Sequence, residues 1–340
     1  MAQPKVLMIY TGGTIGMIED PETGVLTAFD FDHLTNQIPE LSRIKVDLTA
    51  TSLGMPIDSS DMNPTIWQDL AELVSNSYDE YDGFVILHGS DTMAYTASAL
   101  SFMLQGLQKP VILTGSQLPI GTIRTDGKEN LITSIEIAAS KDKNNVPVVQ
   151  EVAIYFEYAL YRGNRTTKVS ANAFEAFLSP NYPELAVAGV EIDYKKNELF
   201  RSNKKTLSLN CKMDDRVALL KIFPGFSTKV YKSLFDNNNV KAIVLETFGS
   251  GNAPNNSEFH SIIEEYIASG GIVVNITQCY TGSVSQGKYA NSTVFNKLGV
   301  ISGKDMTTEA AITKIMHLLG SFEDRDEIIS HFKKNIVGEV

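Results

Sequence analysis

Two short segments carry hydroxyl and carboxylate groups directly after runs of bulky apolar residues. The first is TGGT, Thr11–Thr14, and the second is HGSDT, His88–Thr92. Continuous apolar runs of this kind are typical of buried parallel strands. Loops that leave the carboxyl ends of such strands line the ligand crevice of open α/β sheets. The sequence therefore predicts hydroxyl-based chemistry at this edge, carried by Thr14, Ser90 and Asp91.

Both segments also have simpler interpretations. The TGGTIG segment has the spacing of neither common nucleotide-binding fingerprint, and Thr14 could serve only as a helix cap. Ser90 or Asp91 could likewise cap the helix that follows them. The chain has no GxSxG elbow and its five histidines show no HExxH spacing, so an α/β-hydrolase serine and a metal site are not supported. His88, at a strand end, is predicted to be a structural hydrogen-bonding residue.

Two further polar segments are candidates for the same site. DSSDM, which contains Asp58, Ser59 and Ser60, is either a capping turn or a polar cradle for a small carboxylate. YRGNRTTK, which ends at Lys168, carries three cations, and such a run is usually a solvated surface. The functional alternative is that a lysine beside a hydroxyl acts as a base when burial lowers its pKa.

Length and composition are those of an ordinary globular protein. The chain has 340 residues, of which 43% are hydrophobic and 20% charged, with a net charge of -11. This length predicts two domains, and the acidic balance argues against a nucleic-acid partner, which requires clustered Lys and Arg. Two distant cysteines, Cys211 and Cys279, form no disulfide framework. Neither a signal sequence nor a membrane span is recognisable, so we expect a cytoplasmic protein.

Strand-like and helix-like segments alternate along the chain, which predicts an α/β protein built from parallel strands. We expect a larger N-terminal domain with a mostly parallel sheet and a smaller, Rossmann-like C-terminal domain. The predicted boundaries are residues 1–190 for the domain with the hydroxyl loops, 191–212 for a connector, and 213–340 for the second domain. The connector is assigned from its polar sequence, rich in Lys and Asn.

Taken together and in this order, the motifs resemble those of the bacterial-type L-asparaginase family, and specifically its cytoplasmic type I branch. The resemblance covers nearly the whole chain. Each motif alone is weak, but the complete ordered set is highly specific. The motifs are TGGTIGM from Thr11, DSSDM from Asp58, VILHGSDTMAY from Val85, TGSQ from Thr114, YRGNRTTK from Tyr161, GSGNAP from Gly249 and TQC from Thr277.

This resemblance implies hydrolysis of L-asparagine to L-aspartate and ammonia, without a metal or organic cofactor. It leaves weak glutaminase activity open, because asparagine and glutamine differ by one methylene. Thr14 corresponds to the nucleophile, which forms an acyl-enzyme intermediate, and Ser90 to the second hydroxyl. Asp91 matches the residue that binds the substrate α-amino group, and Lys168 the residue that serves Ser90.

The resemblance also implies the remaining contacts and the assembly. Ser59 and Ser60 match positions that hold the α-carboxylate, next to Asp58. Ser116 matches the position whose backbone carbonyl contacts the side-chain amide. Members of the family form homodimers and often homotetramers, in which a neighbour's C-terminal domain completes each site. Asn252 is the candidate for that contribution.

Two positions depart from the family pattern. Ser90 stands where the family has a threonine, which keeps the hydroxyl but loses the methyl group that restrains its rotamer. Secreted relatives also have a tyrosine in the loop after TGGT, where this chain reads Gly24–Leu26. Another group must then assist Thr14, and Tyr289 is the candidate because cytoplasmic relatives also have tyrosine there.

A regulatory feature of some relatives is altered as well. Some cytoplasmic asparaginases have a second asparagine site, with an arginine at the position of Glu246 and another site residue at that of Cys279. A carboxylate repels a substrate carboxylate that a guanidinium would bind. Alternatively, Glu246 simply pairs with a nearby cation at a strand end. Both interpretations predict that asparagine does not bind productively at a second site.

Two other functions remain open from the sequence alone. The amidohydrolase subunit of the archaeal-type tRNA-dependent glutamine amidotransferase shares these loops, but it has an additional N-terminal domain and acts on tRNA. A non-catalytic binding module, in which the two loops only hold an amino acid, is the alternative from a different class. Release of ammonia from asparagine separates these functions.

Overall fold

The computed structural model describes residues 3–16, 18–19, 26–27, 38–286 and 290–340. By its internal contacts the chain divides into two compact units, Met1–Cys211 and Lys212–Val340. The predicted connector 191–212 therefore lies within the first unit up to Cys211. The three-part division of the chain stays a prediction.

The first unit is organised around one large sheet. Its described strands are β1 Lys5–Gly12, β2 Ile18–Glu19, β3 Leu26–Thr27, β4 Asp47–Ile57, β5 Gly83–Leu87, β6 Leu104–Gln105, β7 Val111–Thr114, β8 Val152–Phe156, β9 Ala159–Arg162, β10 Thr167–Lys168, β11 Phe177–Leu178, β12 Ala186–Ala188, β13 Ile192–Tyr194 and β14 Ser208–Leu209. Eight of them form a sheet in the order β13-β12-β9-β8-β7-β5-β1-β4. Strands β4, β1, β5, β7 and β8 are parallel neighbours, whereas β9, β12 and β13 pair antiparallel.

Three α-helices are described in this unit. They are α1 Pro64–Asn76, α2 Met93–Met103 and α3 Gly127–Ala139. α1 begins at Pro64, because the Asn63 side chain accepts hydrogen bonds from the backbone N–H groups of Thr65 and Ile66, and Pro64 has a preset φ. α2 is buried along nearly its whole length.

The apolar runs of the central strands form the core around which the site loops are placed. In β1, Val6 to Tyr10 are at most 3% exposed, so both faces of the strand are covered. This is the burial expected for a parallel strand between layers of helices. Each of these larger side chains contributes about 1.5–3 kcal/mol when removed from water. β1, which leads into the TGGT segment, is therefore part of the buried core.

The second unit contains a smaller parallel sheet. Its strands are β15 Val217–Lys221, β16 Ala242–Thr247, β17 Ile272–Thr277 and β18 Ile301–Ser302, and its helices are α4 Ser257–Ala268, α5 Ala290–Leu298, α6 Thr308–Ser321 and α7 Arg325–Phe332. The four strands are parallel and lie in chain order. The two sheets confirm the predicted fold class. Among the described residues, no helix has both the length and the apolar character needed to cross a membrane.

Candidate active site

The TGGT and HGSDT loops lie against each other at the carboxyl ends of β1 and β5. The hydroxyl of Thr11 donates a hydrogen bond of 3.0 Å to the backbone carbonyl of Leu87. Gly13 has a φ of +88°, and a Cβ atom there would lie 2.5 Å from the Cα atom of Gly89. No side chain fits in that space, so the two glycines allow close approach of the backbones. Thr14 and Ser90, which follow these two glycines, therefore lie on adjoining backbone segments.

The DSSDM segment forms a third loop beside these two. The Asp58 carboxylate accepts a 2.8 Å hydrogen bond from the N–H of Ser60, which caps a short 3-10 turn and lowers the pKa of Asp58. Thr92 donates a 2.6 Å hydrogen bond to the carbonyl of Ser59. A Cβ atom on Gly89 would lie 2.5 Å from Ser59 Oγ. Asp58 thus has the capping role considered for it, and Ser59 lies next to the HGSDT loop.

Lys168 brings two of the predicted site residues together. Its Nζ atom lies 2.8 Å from Ser90 Oγ and 2.5 Å from Asp91 Oδ1. The Lys168 side chain is 15% exposed, whereas that of Asp91 is 68% exposed. The Asp91 carboxylate therefore stays largely open to solvent while it holds the ammonium group. The alternative that Ser90 or Asp91 caps α2 is wrong, since the N-cap position belongs to Thr92.

The cationic segment before Lys168 is buried, so its interpretation as a solvated surface is wrong. Arg162 and Arg165 are 5% and 2% exposed. The Nε atom of Arg162 donates to the Glu151 carboxylate at 2.7 Å, and its guanidinium lies 4.2 Å from the centre of the Tyr182 ring. These contacts anchor the chain immediately before β10. They thereby fix the position of Lys168, a role that the sequence reasoning did not assign to them.

The TGSQ turn after β7 is held by residues that the sequence reasoning missed. Ser116 is 3% exposed, and its hydroxyl donates to the carbonyl of Leu118 at 2.6 Å. The Asp126 carboxylate accepts the backbone N–H groups of Gln117 at 2.8 Å and Leu118 at 3.1 Å. Asn130 donates to the carbonyl that precedes Ser116 at 3.0 Å. The side chains of Asp126 and Asn130 therefore hold this turn in place.

The side chain of Gln117 reaches the Ser90–Lys168 pair. Ser90 Oγ donates to Gln117 Oε1 at 3.3 Å, and Gln117 Nε2 donates to the carbonyl of Ala173 at 2.8 Å. The only sequence signal for Gln117 was its position next to Ser116 in the TGSQ motif.

His88 has the structural role that was predicted for it. It is fully buried, and its Nδ1–H donates to the carbonyl of Gly89 at 2.6 Å. Its Nε2 accepts the hydroxyl of Thr96 at 2.8 Å, and Thr96 in turn accepts from the indole N–H of Trp67 at 3.0 Å. Burial lowers the pKa of His88 to about 4, so the ring is neutral at pH 7.

Asn252 and Glu246 are two of the predicted residues that lie in the second unit. Asn252 is in the turn after β16, where its backbone exchanges hydrogen bonds of 2.8 and 2.9 Å with Phe248. Glu246, on β16, accepts the Thr308 hydroxyl at 2.7 Å and lies 3.4 Å from the Lys221 ammonium. Glu246 therefore pairs with a cation, as the structural alternative predicts.

Some predictions have no counterpart in the described part of the chain. Tyr289 lies outside the described residues, as do residues 24–25 in the loop after TGGT. Within the described ranges, no group of three His, Cys, Asp or Glu side chains could hold a metal ion.

The site in the first unit has several of the parts that acyl transfer requires. A threonine hydroxyl is a weak nucleophile and needs a neighbouring base, and a tetrahedral oxyanion needs fixed hydrogen-bond donors. Three adjoining loops here supply hydroxyl groups, and a lysine–carboxylate pair lies beside Ser90. This arrangement can bind an amino acid and position a carbonyl group for attack.

Comparison with known proteins agrees with this chemistry. Residues 5–200 match the family described as Asparaginase, N-terminal, and residues 216–332 match the Glutaminase/Asparaginase C-terminal domain. The chain belongs to the asparaginase family. It is 42% identical to L-asparaginase 1 of Escherichia coli (strain K12), over 100% of this chain and 99% of that protein.

Two solved structures extend the similarity to the fold. L-asparaginase I from Vibrio cholerae superimposes with a TM-score of 0.89 at 38% identity, over 99% of both chains. A protein described as a probable cytoplasmic L-asparaginase from Campylobacter jejuni superimposes with a TM-score of 0.80 at 25% identity. The comparison covers 98% of this chain and 100% of that one.

Proposed function

We propose that this protein hydrolyses the side-chain amide of L-asparagine to L-aspartate and ammonia. Thr14 Oγ attacks the amide carbon and gives up its proton, the C–N bond breaks, and the NH2 group takes up that proton and leaves as ammonia. Water then hydrolyses the resulting ester, which releases aspartate and restores the Thr14 hydroxyl. The observation that carries this proposal is the contact of Lys168 with both Ser90 and Asp91, on the loop that packs against TGGT.

The charged ends of the substrate would be held away from the reacting carbonyl. The exposed carboxylate of Asp91 suits the α-ammonium group. Ser59 and Ser60, in a turn capped by Asp58, would offer their hydroxyl groups to the α-carboxylate. The carbonyl of Ser116 would accept from the side-chain amide. Orientation of this kind contributes several kcal/mol, up to about 7–11 kcal/mol in well-aligned intramolecular reactions.

The remaining features of the proposal rest on the family resemblance. We propose a homodimer or homotetramer in which Asn252 of a neighbouring copy completes the site, and Tyr289 as the group that assists Thr14. No cofactor is required by this reaction. A cytoplasmic location is supported by similarity to the Campylobacter jejuni protein. The division into residues 1–190, 191–212 and 213–340 is also part of the proposal, and it rests on the polar sequence of the connector.

Steady-state kinetics with asparagine and glutamine over a wide concentration range test the function. Ammonia release from asparagine is expected, while the preference over glutamine depends on one methylene, worth about 1–3 kcal/mol in a pocket. Thr14→Ala should abolish turnover and leave the thermal unfolding midpoint nearly unchanged, because a loop hydroxyl contributes little to the core. Binding of asparagine without any ammonia release by the native protein would favour a binding module. A Thr14→Ala variant that retains a tenth of the native kcat would exclude Thr14 as the nucleophile.

A further inference from the structure

Ser90 has hydrogen-bonding partners on two sides. Lys168 Nζ lies 2.8 Å from its Oγ atom, and Gln117 Oε1 lies 3.3 Å from the same atom. A serine side chain can adopt three staggered rotamers, whereas the extra methyl group of threonine restricts this choice. In this chain the Ser90 hydroxyl therefore needs an external restraint if it is to stay directed at Lys168.

The Gln117 side chain is oriented by a partner outside the site. Its Nε2 atom donates a 2.8 Å hydrogen bond to the backbone carbonyl of Ala173. A carbonyl can only accept, so this contact fixes Nε2 on that side and turns Oε1 towards Ser90. An amide oxygen also only accepts, and therefore the Ser90 hydroxyl must donate to Gln117. The Ser90 lone pairs are then left to accept from the Lys168 ammonium.

The backbone of Gln117 is held equally firmly. The Asp126 carboxylate, in a residue 6% exposed, accepts the N–H groups of Gln117 and Leu118. Hydrogen bonds from backbone N–H groups to a carboxylate are among the stronger ones in proteins. Asn130 connects Asp126 to the carbonyl of Gly115. The amide of Gln117 therefore extends from a fixed turn.

We infer that Gln117 is a positioning residue for the reaction. It holds the Ser90 hydroxyl in the rotamer that faces Lys168, and so supplies the restraint that a threonine methyl group would supply at this position. This inference rests on the proposed function, because it concerns the second hydroxyl of the same site. Gln117 acts through Ser90 and not on the substrate, so its removal changes kcat more than KM.

Gln117→Leu, measured in two backgrounds, tests the inference. In the native background the variant loses one side-chain hydrogen bond to Ser90, and kcat should fall about threefold to tenfold. In a Ser90→Thr background the added methyl restrains the rotamer, so the same substitution should lower kcat less than about twofold. Each ratio is taken within its own background, with asparagine as substrate and ammonia release as the readout. Equal ratios in both backgrounds, or a larger effect on KM than on kcat, would overturn the inference.

Gln108→Leu is the matched control. Its side-chain amide also donates to backbone carbonyls, including that of Lys204, but it takes no part in the Ser90 cluster. The control should have native kcat and KM.

Crystal structures provide a readout that does not depend on activity. Ser90 should occupy more than one χ1 rotamer in Gln117→Leu and a single one in the native protein. A single unchanged Ser90 rotamer in the variant would refute the inference even if asparagine is hydrolysed. A native protein that releases no ammonia from asparagine would refute the proposed function instead.

Discussion

Lys168→Met removes the ammonium group between Ser90 and Asp91 while it keeps a similar side-chain length. The ion pair with Asp91 is short at 2.5 Å, but the Asp91 side chain is 68% exposed. Solvent screening limits such a pair to about 0–1 kcal/mol of stability. The variant should therefore fold normally and lose activity, so its effect on kcat reports the chemistry of the site.

The size of the effect depends on whether Lys168 acts through Ser90. Loss of a positioned acid–base group typically costs about 10²–10⁴-fold in rate. If Lys168→Met and Ser90→Ala each lower kcat about 10³-fold, independent action predicts about 10⁶-fold for the double variant. The 2.8 Å contact between the two groups predicts joint action and therefore a loss that stays near 10³-fold. The two outcomes for the double variant differ by about 4 kcal/mol in activation free energy.

Ammonia release from saturating asparagine measures kcat for the native protein, both single variants and the double variant. Thermal unfolding of each protein verifies the fold. Lys195→Met is the matched control, because Lys195 also forms a short ion pair, 2.6 Å from Glu184. Both side chains of that pair are partly exposed. The control should retain native kcat. Multiplicative losses in the double variant would refute the view that Ser90 and Lys168 work as one unit.

Three further predictions concern regulation and stability. Glu246 is paired with Thr308 and Lys221 and is not available to bind asparagine at a second site. The rate of ammonia release should therefore depend hyperbolically on asparagine concentration, with a Hill coefficient near one. A sigmoidal curve that becomes hyperbolic when residues around Glu246 are changed would contradict this. Burial lowers the pKa of His88 to about 4, so its ring stays neutral in the folded protein above that pH. The contribution of His88 to stability is therefore complete above pH 6.5. As the pH falls from 6.5 to 4, the unfolded state takes up a proton that the folded state does not, and the free energy of unfolding decreases by up to about 3 kcal/mol. The free energy of unfolding, measured in urea, should fall less over this pH range in His88→Gln than in the native protein. An equal fall in both proteins would contradict the assignment of His88 as a neutral buried residue. Glu339→Ala leaves the fully buried Lys314 ammonium without its carboxylate, which should lower the free energy of unfolding by about 3–5 kcal/mol in denaturant titrations; a change below about 0.5 kcal/mol, as for a surface site, would refute it.

Much of the fold could be predicted because its causes are local. The apolar run of β1 can only be buried in a sheet covered on both faces, and Asn63 with Pro64 defines the start of α1 within four residues. The hydroxyl loops could be placed because the carboxyl ends of parallel strands meet at one edge. The sequence motifs also predicted the family.

The contacts between distant segments could not be derived in this way. Ser90 and Gln117 are 27 residues apart, and Glu246 and Thr308 are 62 apart, so no local pattern records either hydrogen bond. Charge patterning described Arg162 as solvated, whereas a carboxylate and an aromatic ring bury it.

By itself, the sequence determined which elements form, which loops carry hydroxyl groups and which family the chain resembles. Periodicity, capping and motif order depend only on residues that are near one another along the chain. Only the tertiary structure decided which polar groups meet, and so gave Lys168 its two partners and Gln117 its place beside Ser90. The physical reason is that burial and side-chain pairing depend on distances in space, which the packing of the whole sheet determines.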